Sequence, residues 1–291
     1  MFSIIIPLYN KADYIAETLK SVLNQTYCDY EVIVVNDSST DNSLEVASSF
    51  QDERIHIYTK ENEGVSAARN YGIMHAKYDY IAFLDADDIW ESDYLECQKK
   101  LIEIYPDAGI YSTAFYSLEK GKRKLRNVLI NEHIHFLVHD YFKESVMNGL
   151  SICWTSSLCL KKEVIKEIPM FRVGIKRGED LDLWLRIALN YDVAYLNLPK
   201  VFYRTGLSDS LTSDYSKNGE FPYYEWFNFT SESSYYRKYV ILVVYIHAKN
   251  AFIHHDYDTC LAELWSVKTI AWRFKWAERL LLLVISWIKS K

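Results

Sequence analysis

YIAFLDADDIWE, residues 80–91, decides how this chain is read. Tyr80 to Leu84 is an apolar run of strand length with no alternation, the mark of a strand buried on both faces in a parallel sheet. The acids Asp85, Asp87 and Asp88 then emerge at its carboxyl end, where open α/β sheets place their ligands. Like charges so close repel one another. A hard divalent cation such as Mg²⁺ or Mn²⁺, bridging them to phosphate groups, would make the cluster favourable. A solvated loop with a helix cap ahead of Ile89-Trp90-Glu91 also accounts for these residues, so the neighbouring segments must decide.

Upstream, two periods alternate. Phe2 to Pro7 reads as a strand, Ala12 to Asn24 as a helix with Ile15, Leu19, Val22 and Leu23 on one face, and Glu31 to Val35 as a second strand. A helix from Asn42 to Phe50, capped by Thr40 or Asp41, a strand from Ile55 to Tyr58 and a helix from about Val65 to His75 complete the series. Repeated β-α-β order predicts a doubly wound, mainly parallel sheet in an α/β fold. Such a sheet brings the loops at Tyr9-Asn10, Asn36-Asp37, Asn62 to Gly64 and Asp85 to Asp88 to one edge. The crevice there is lined by Tyr9, Asp37, Arg69 and the acid cluster. Alone, Asp37 reads equally as an Asx turn, and Arg69 as a surface helix residue near a phosphate-binding helix start.

The pattern is less regular from Asp93 onward. Tyr94 to Ile104 is expected as helix, Ala108 to Phe115 as strand, and Leu118 to Lys124 as a basic turn. Ser151 to Leu160 is expected as a strand with Cys153 and Cys159 on one side. Glu179 to Leu189 reads as an amphipathic helix, Val193 to Leu198 and Val201 to Tyr203 as two short strands, Ser208 to Gly219 as a polar loop, and the chain beyond Pro222 as helical.

Composition narrows the function classes. The 291 residues are 49% hydrophobic and 25% charged, with 9 Gly and 5 Pro, so the whole chain should fold with few linkers. A net charge of −6 argues against nucleic acid as partner. Five cysteines without Cys-x-x-Cys spacing indicate reduced thiols in the cytoplasm, and Phe2 to Pro7 lacks the features of a signal peptide.

Four stretches resemble the family-2 inverting glycosyltransferases with the GT-A fold: IIIPLYNKADYIAETLKSVLNQTYCDYEVIVVNDSSTDNS from Ile4 to Ser43, NEGVSAARNYGI from Asn62 to Ile73, FLDADD from Phe83 to Asp88, and GEDLDLWLRI from Gly178 to Ile187. The likeness covers roughly residues 2 to 205. It implies a nucleotide-sugar-binding half over 1–100 and an acceptor-binding half over 101–215; the aromatic, apolar pattern that follows is expected as a helical C-terminal region over 216–291. It also implies a sugar moved from a nucleotide-sugar donor, UDP-linked in our reading, to a hydroxyl of a glycan or lipid-linked glycan. Pro7 and Tyr9 would lie against the base, Asp37 would hydrogen-bond it, Arg69 would hold the nucleotide, Asp85 would face the ribose, and Asp87 with Asp88 would bind Mn²⁺ or Mg²⁺.

Asp180 would be the general base, since a sugar hydroxyl needs a carboxylate to take its proton as it attacks. Acids in a first helical turn are also favoured by the helix dipole, which accounts for Glu179-Asp180 without catalysis. Glu179 and Trp184 are expected on the acceptor side or in structural support, and Asp182 on the helix surface. One departure stands out: many family members have Tyr-Arg-x-His after the last strand, with His on the metal, whereas Tyr203 to Ser208 has no His. Water and phosphate would complete the metal shell. A non-catalytic sugar-nucleotide-binding scaffold subunit is the alternative, disfavoured by the presence of both Asp87 and Asp180. A sugar-1-phosphate nucleotidyltransferase is a third reading, disfavoured by the absence of a Gly-rich phosphate loop.

Leu280 to Ile288 is too short to span a bilayer, which takes ~20 residues. Lys268, Lys275, Arg279, Ser286 and Lys289 form a stripe beside an apolar face bearing Trp265, Trp276, Leu280, Leu281 and Trp287, as in a helix lying in a membrane interface. Peripheral contact with the inner face of the membrane is therefore expected, with packing on the catalytic domain or a dimer contact as the competing account.

Overall fold

The computed structural model describes residues 1–129, 131–175, 177–207, 223–226 and 229–266. In chain order the elements are β1 (Phe2–Leu8), α1 (Ile15–Leu23), β2 (Tyr30–Asn36), α2 (Ser43–Ser48), β3 (Ile55–Thr59), α3 (Val65–His75), β4 (Tyr80–Phe83), β5 (Ile89–Trp90) and α4 (Tyr94–Ile104). There follow β6 (Ile110–Glu119), β7 (Lys122–Arg126), β8 (His135–Val138), α5 (Tyr141–Asn148), a 3-10 turn (Thr155–Ser157), β9 (Leu158–Lys161), α6 (Lys162–Glu167), α7 (Glu179–Ala188), β10 (Val193–Arg204), α8 (Tyr223–Trp226), α9 (Tyr236–Ile253) and α10 (Tyr257–Ser266).

One sheet runs in the order β3-β2-β1-β4-β9-β6-β10-β5, with β7 paired to β6 and β8 to β10. Strands β3, β2, β1 and β4 are mutually parallel, as the repeated β-α-β order requires. Alternation along each strand sends side chains to opposite faces. Phe2, Ile4, Ile6 and Leu8 join the cluster under α1 and α4, while Ile5 joins the one under α3 and α7. A Cβ at Gly72 would lie 2.5 Å from Ile5 Cγ2, so glycine lets α3 close onto β1.

The structure departs from expectation in four places. The basic turn at 118–124 is a hairpin: β6 continues to Glu119, and Lys122–Arg126 returns antiparallel beside it. Its side chains are all exposed, so no apolar alternation marked the strand. Residues 151–160 do not form one strand; a 3-10 turn interrupts them, and Cys153 and Cys159 lie in the clusters on opposite faces of the sheet. The two short strands after α7 are one strand, β10, bent by register shifts between Leu196 and Phe202. Helix α1 begins at Ile15 because the residues before it are held otherwise: Lys11 N–H donates to Ser43 Oγ and Ala12 N–H to Asp41 Oδ2.

Helices α8, α9 and α10 fit the expectation of a helical C-terminal part. No helix among the described residues is long and apolar enough to cross a membrane. The polar loop at 208–219 and the basic, Trp-bearing stripe from Lys268 lie outside the described residues.

Candidate active site

The parallel strands β1, β2, β3 and β4 deliver Tyr9, Asp37, the 60–64 loop and the acids 85–88 to one sheet edge, and α7 begins there. Tyr9 is the exposed member, at 45%. Pro7 is half-buried behind it. Asp37 is buried; it accepts from Glu63 N–H at 3.1 Å, Gly64 N–H at 2.8 Å and Lys60 Nζ at 3.0 Å, fixing the loop that leads into α3. Gly64 takes φ +90 there, a backbone that side chains resist. Three of the roughly four acceptor positions of the carboxylate are thus used.

Arg69 is 3% exposed. Nη2 donates to Asp85 Oδ1 at 2.7 Å and Nη1 to Glu179 Oε1 at 2.8 Å, with the Phe171 ring 5.3 Å from its Cζ. Its terminal nitrogens therefore face protein carboxylates rather than an open nucleotide slot. Arg69 is a clamp tying the β4 loop to the start of α7. Neighbouring Asp85 and Glu179 hold the guanidinium pKa above its ordinary value despite burial.

The three acids after β4 have different surroundings. Asp87 is partly buried and its Oδ2 lies 2.9 Å from Lys11 Nζ, so a cation already faces it. Burial, opposed by Lys11 and aided by the Asp85 charge, raises its pKa. Asp88 is wholly buried: Ser156 Oγ donates to Oδ2 at 2.6 Å and the Arg204 N–H to Oδ1 at 3.0 Å. It joins the β4 loop to the 3-10 turn and to β10, and both its oxygens are engaged; the expected role as a metal ligand beside Asp87 has no open face here. Burial pushes its carboxyl well above the usual range, with the Asp87 and Asp85 charges adding to the effect.

Among the described residues no group of three or more His, Cys, Asp or Glu is arranged to hold a metal. Asp87 and the rim of Asp85 are the available hard donors. That set suits Mg²⁺ or Mn²⁺ bound through one or two carboxylates and substrate phosphates, the ordinary habit of these ions at phosphate sites.

Gly178, in the left-handed region at φ 73, starts α7 and turns Glu179 and Asp180 toward the acids. Asp180 is half-buried; its Oδ2 accepts from Thr155 Oγ1 at 3.1 Å and its Oδ1 from Leu181 N–H at 2.7 Å. Burial raises its pKa, opposed by Arg69 and by these hydrogen bonds. Burial and the adjacent Asp180 charge push Glu179 up to about 7 against the pull of Arg69.

One expectation on α7 is corrected. Asp182 is not on the helix surface but fully buried, bonded to Arg186 Nε at 2.9 Å and Trp226 Nε1 at 2.9 Å. Two residues along a helix rotate a side chain by about 200°, which turns Asp182 away from the Asp180 side. Trp184 is fully buried against Phe83 and Phe171, in keeping with structural support, one of the two places expected for it.

Sequence reasoning missed Lys11, Thr155, Ser156 and the backbone of Arg204. Lys11 lay within the quoted Ile4 to Ser43 stretch, yet nothing local tied it to Asp87. Thr155 and Ser156 were hidden in a presumed strand.

The sequence profile of Glycosyl transferase family 2 matches residues 3–168. An uncharacterized glycosyltransferase of Rickettsia felis is 36% identical over 191 residues, which are 64% of this chain and 30% of that protein. The putative teichuronic acid biosynthesis glycosyltransferase TuaG of Bacillus subtilis is 32% identical over 198 residues, 67% of this chain and 75% of that protein. In structure, S. aureus TarS 1–349 in complex with UDP-GlcNAc superposes with a TM-score of 0.64 at 17% identity, covering 98% of this chain and 79% of that one, a likeness of fold. With the profile spanning more than half the chain, the protein belongs to glycosyl transferase family 2.

Proposed function

We propose that the chain transfers a sugar from a nucleotide-sugar donor, UDP-linked, to a hydroxyl of a glycan or lipid-linked glycan, with inversion at the anomeric carbon. The observation that carries this reading is Asp180: a half-buried carboxylate of raised pKa at the same sheet edge as Asp85 and Asp87. A raised pKa suits a base that must take up a proton near neutral pH. TarS, of the same fold, is described in complex with UDP-GlcNAc and with UDP, which supports a uridine nucleotide as donor.

In this reading Tyr9 and Pro7 form the wall for the base, and the remaining acceptor position of Asp37 takes a base N–H. Asp85, fixed by Arg69, faces the ribose. Mn²⁺ or Mg²⁺ held by Asp87 and the donor diphosphate would offset the charge that grows on the leaving group. Lys11 accompanies Asp87 and adds positive charge beside it. Asp180 Oδ2, held by Thr155, accepts the acceptor hydroxyl proton while the oxygen bonds to the anomeric carbon and the bond to the diphosphate breaks. Asp88 anchors the loop, and Glu179 fixes Arg69.

The test is Asp180→Asn, which keeps size and polarity but cannot take the proton. Transfer should fall by at least about a hundredfold with UDP binding retained. Full transfer by the variant would remove Asp180 from the mechanism.

A further inference from the structure

The hairpin of β6 and β7 carries Lys120, Lys122, Arg123, Lys124 and Arg126, five cations within seven residues and no acid among them, in a chain of net charge −6. All five are exposed. Two have neutral neighbours: Arg126 Nε donates to Ser117 Oγ at 3.2 Å, and the Arg123 guanidinium lies 4.6 Å from the Phe202 ring centroid. None forms an ion pair with a carboxylate of the described residues.

The hairpin adjoins the catalytic edge. Leu118 faces Arg123 across the hairpin and pairs on its other side with Arg204, whose N–H donates to Asp88. β7 therefore stands two strand spacings, roughly 10 Å, from the strand that holds the acid loop. Residues directly opposite in an antiparallel pair share a face, so Arg126 and Lys124 lie on the side of Phe115 and Ser117. The Phe115 ring stacks on Trp154 at 5.2 Å, and Trp154 meets Tyr203 at 4.7 Å. Trp154 directly precedes Thr155 and Ser156, which bond Asp180 and Asp88. A chain of packed rings thus connects the acid loop to the cationic strand.

Lysine on an edge strand also guards against edge-to-edge pairing, but one or two inward or edge charges achieve that. Five cations on both faces beside the site exceed it. The acids at the sheet edge would repel a negatively charged acceptor, and a cationic strand on the approach reverses that field locally. Resting on the transferase reading above, we propose that the β6–β7 hairpin binds an acceptor chain whose repeating units carry negative charge, as phosphodiester or as carboxylate, and leads its hydroxyl toward Asp180.

The test uses the full chain with Lys122→Glu/Lys124→Glu, and Lys166→Glu on α6 as a charge control remote from the hairpin. Binding of fluorescent polyphosphate, polygalacturonate and neutral dextran is followed by anisotropy, with UDP titrated separately. Wild type should bind one or both polyanions and not dextran, and added salt should weaken the binding. The double variant should lose about tenfold or more, from surface pairs each of modest strength, with UDP affinity and melting unchanged. The preferred polyanion tells phosphate from carboxylate charge. Equal polyanion affinity in the double variant, or no polyanion binding at all, overturns the proposal. Hairpin-dependent binding to phosphatidylglycerol vesicles without binding to either polyanion overturns it in favour of a membrane surface. Loss of UDP binding by wild type would refute the transferase reading while leaving the polyanion result to stand on its own.

Discussion

Replacing Arg69 by Met should damage stability and catalysis through the same contacts. The guanidinium is almost wholly buried and is the cation shared by Asp85 and Glu179. Met fills the stem but leaves two carboxylates facing each other with no countercharge. Removing one partner from a buried ion pair costs about 3–5 kcal/mol. The loss should depend on pH. Glu179 already has a pKa raised to about 7 by burial and by Asp180, so in the wild type its contribution to stability is full below the ordinary glutamate value and fades as pH rises through about 7. Without Arg69, which lowers it, that pKa climbs further, and a protonated Glu179 no longer needs the cation. Urea unfolding should show a smaller deficit around pH 5 than around pH 8. Adding Glu179→Gln to Arg69→Met should recover about 1–3 kcal/mol at the higher pH. A deficit under about 1 kcal/mol at both pH values, or strict additivity in the double variant, would refute the clamp.

Two further outcomes follow from the same geometry. Thr155→Val removes a hydrogen bond that lowers the Asp180 pKa; if the proposed transfer needs Asp180 ionised, activity should be lost as pH falls through that pKa, and the acid limb of the pH-rate profile should move to higher pH. An unmoved limb would separate Asp180 from the rate. Asp182→Ala removes the buried carboxylate that pairs with Arg186 and accepts from the Trp226 indole N–H, so urea unfolding should show a loss of about 3–5 kcal/mol, with UDP affinity in the surviving folded protein unchanged.

The apolar run of Ile4 to Ile6, the β-branched run of Val32 to Val35 and the apolar run before Asp85 were enough to place parallel strands and their loops on one edge, because short unbroken apolar runs separated by amphipathic helices are what a sheet buried on both faces requires. The side-chain partnerships at that edge were less legible. Arg69 meets Glu179 across 110 positions, and Ser156 meets Asp88 across 68; no local pattern carries such distances. Asp182 reads as a surface acid because its partner Trp226 comes 44 residues later. β7 escaped notice because a strand exposed on both faces has no apolar period. At 151–160, serines and a threonine sit in an apolar stretch, and their role as ligands of distant carboxylates emerges only once the sheet is closed.

Titration of UDP by calorimetry, with and without Mn²⁺, into wild type and Asp87→Ala is the most direct test that this edge holds a nucleotide diphosphate through Asp87. Wild type should bind UDP with an affinity that rises on adding Mn²⁺, and Asp87→Ala, still folded, should lose the Mn²⁺-dependent part. Equal UDP affinity in both proteins regardless of Mn²⁺, or no binding to either, would contradict the account.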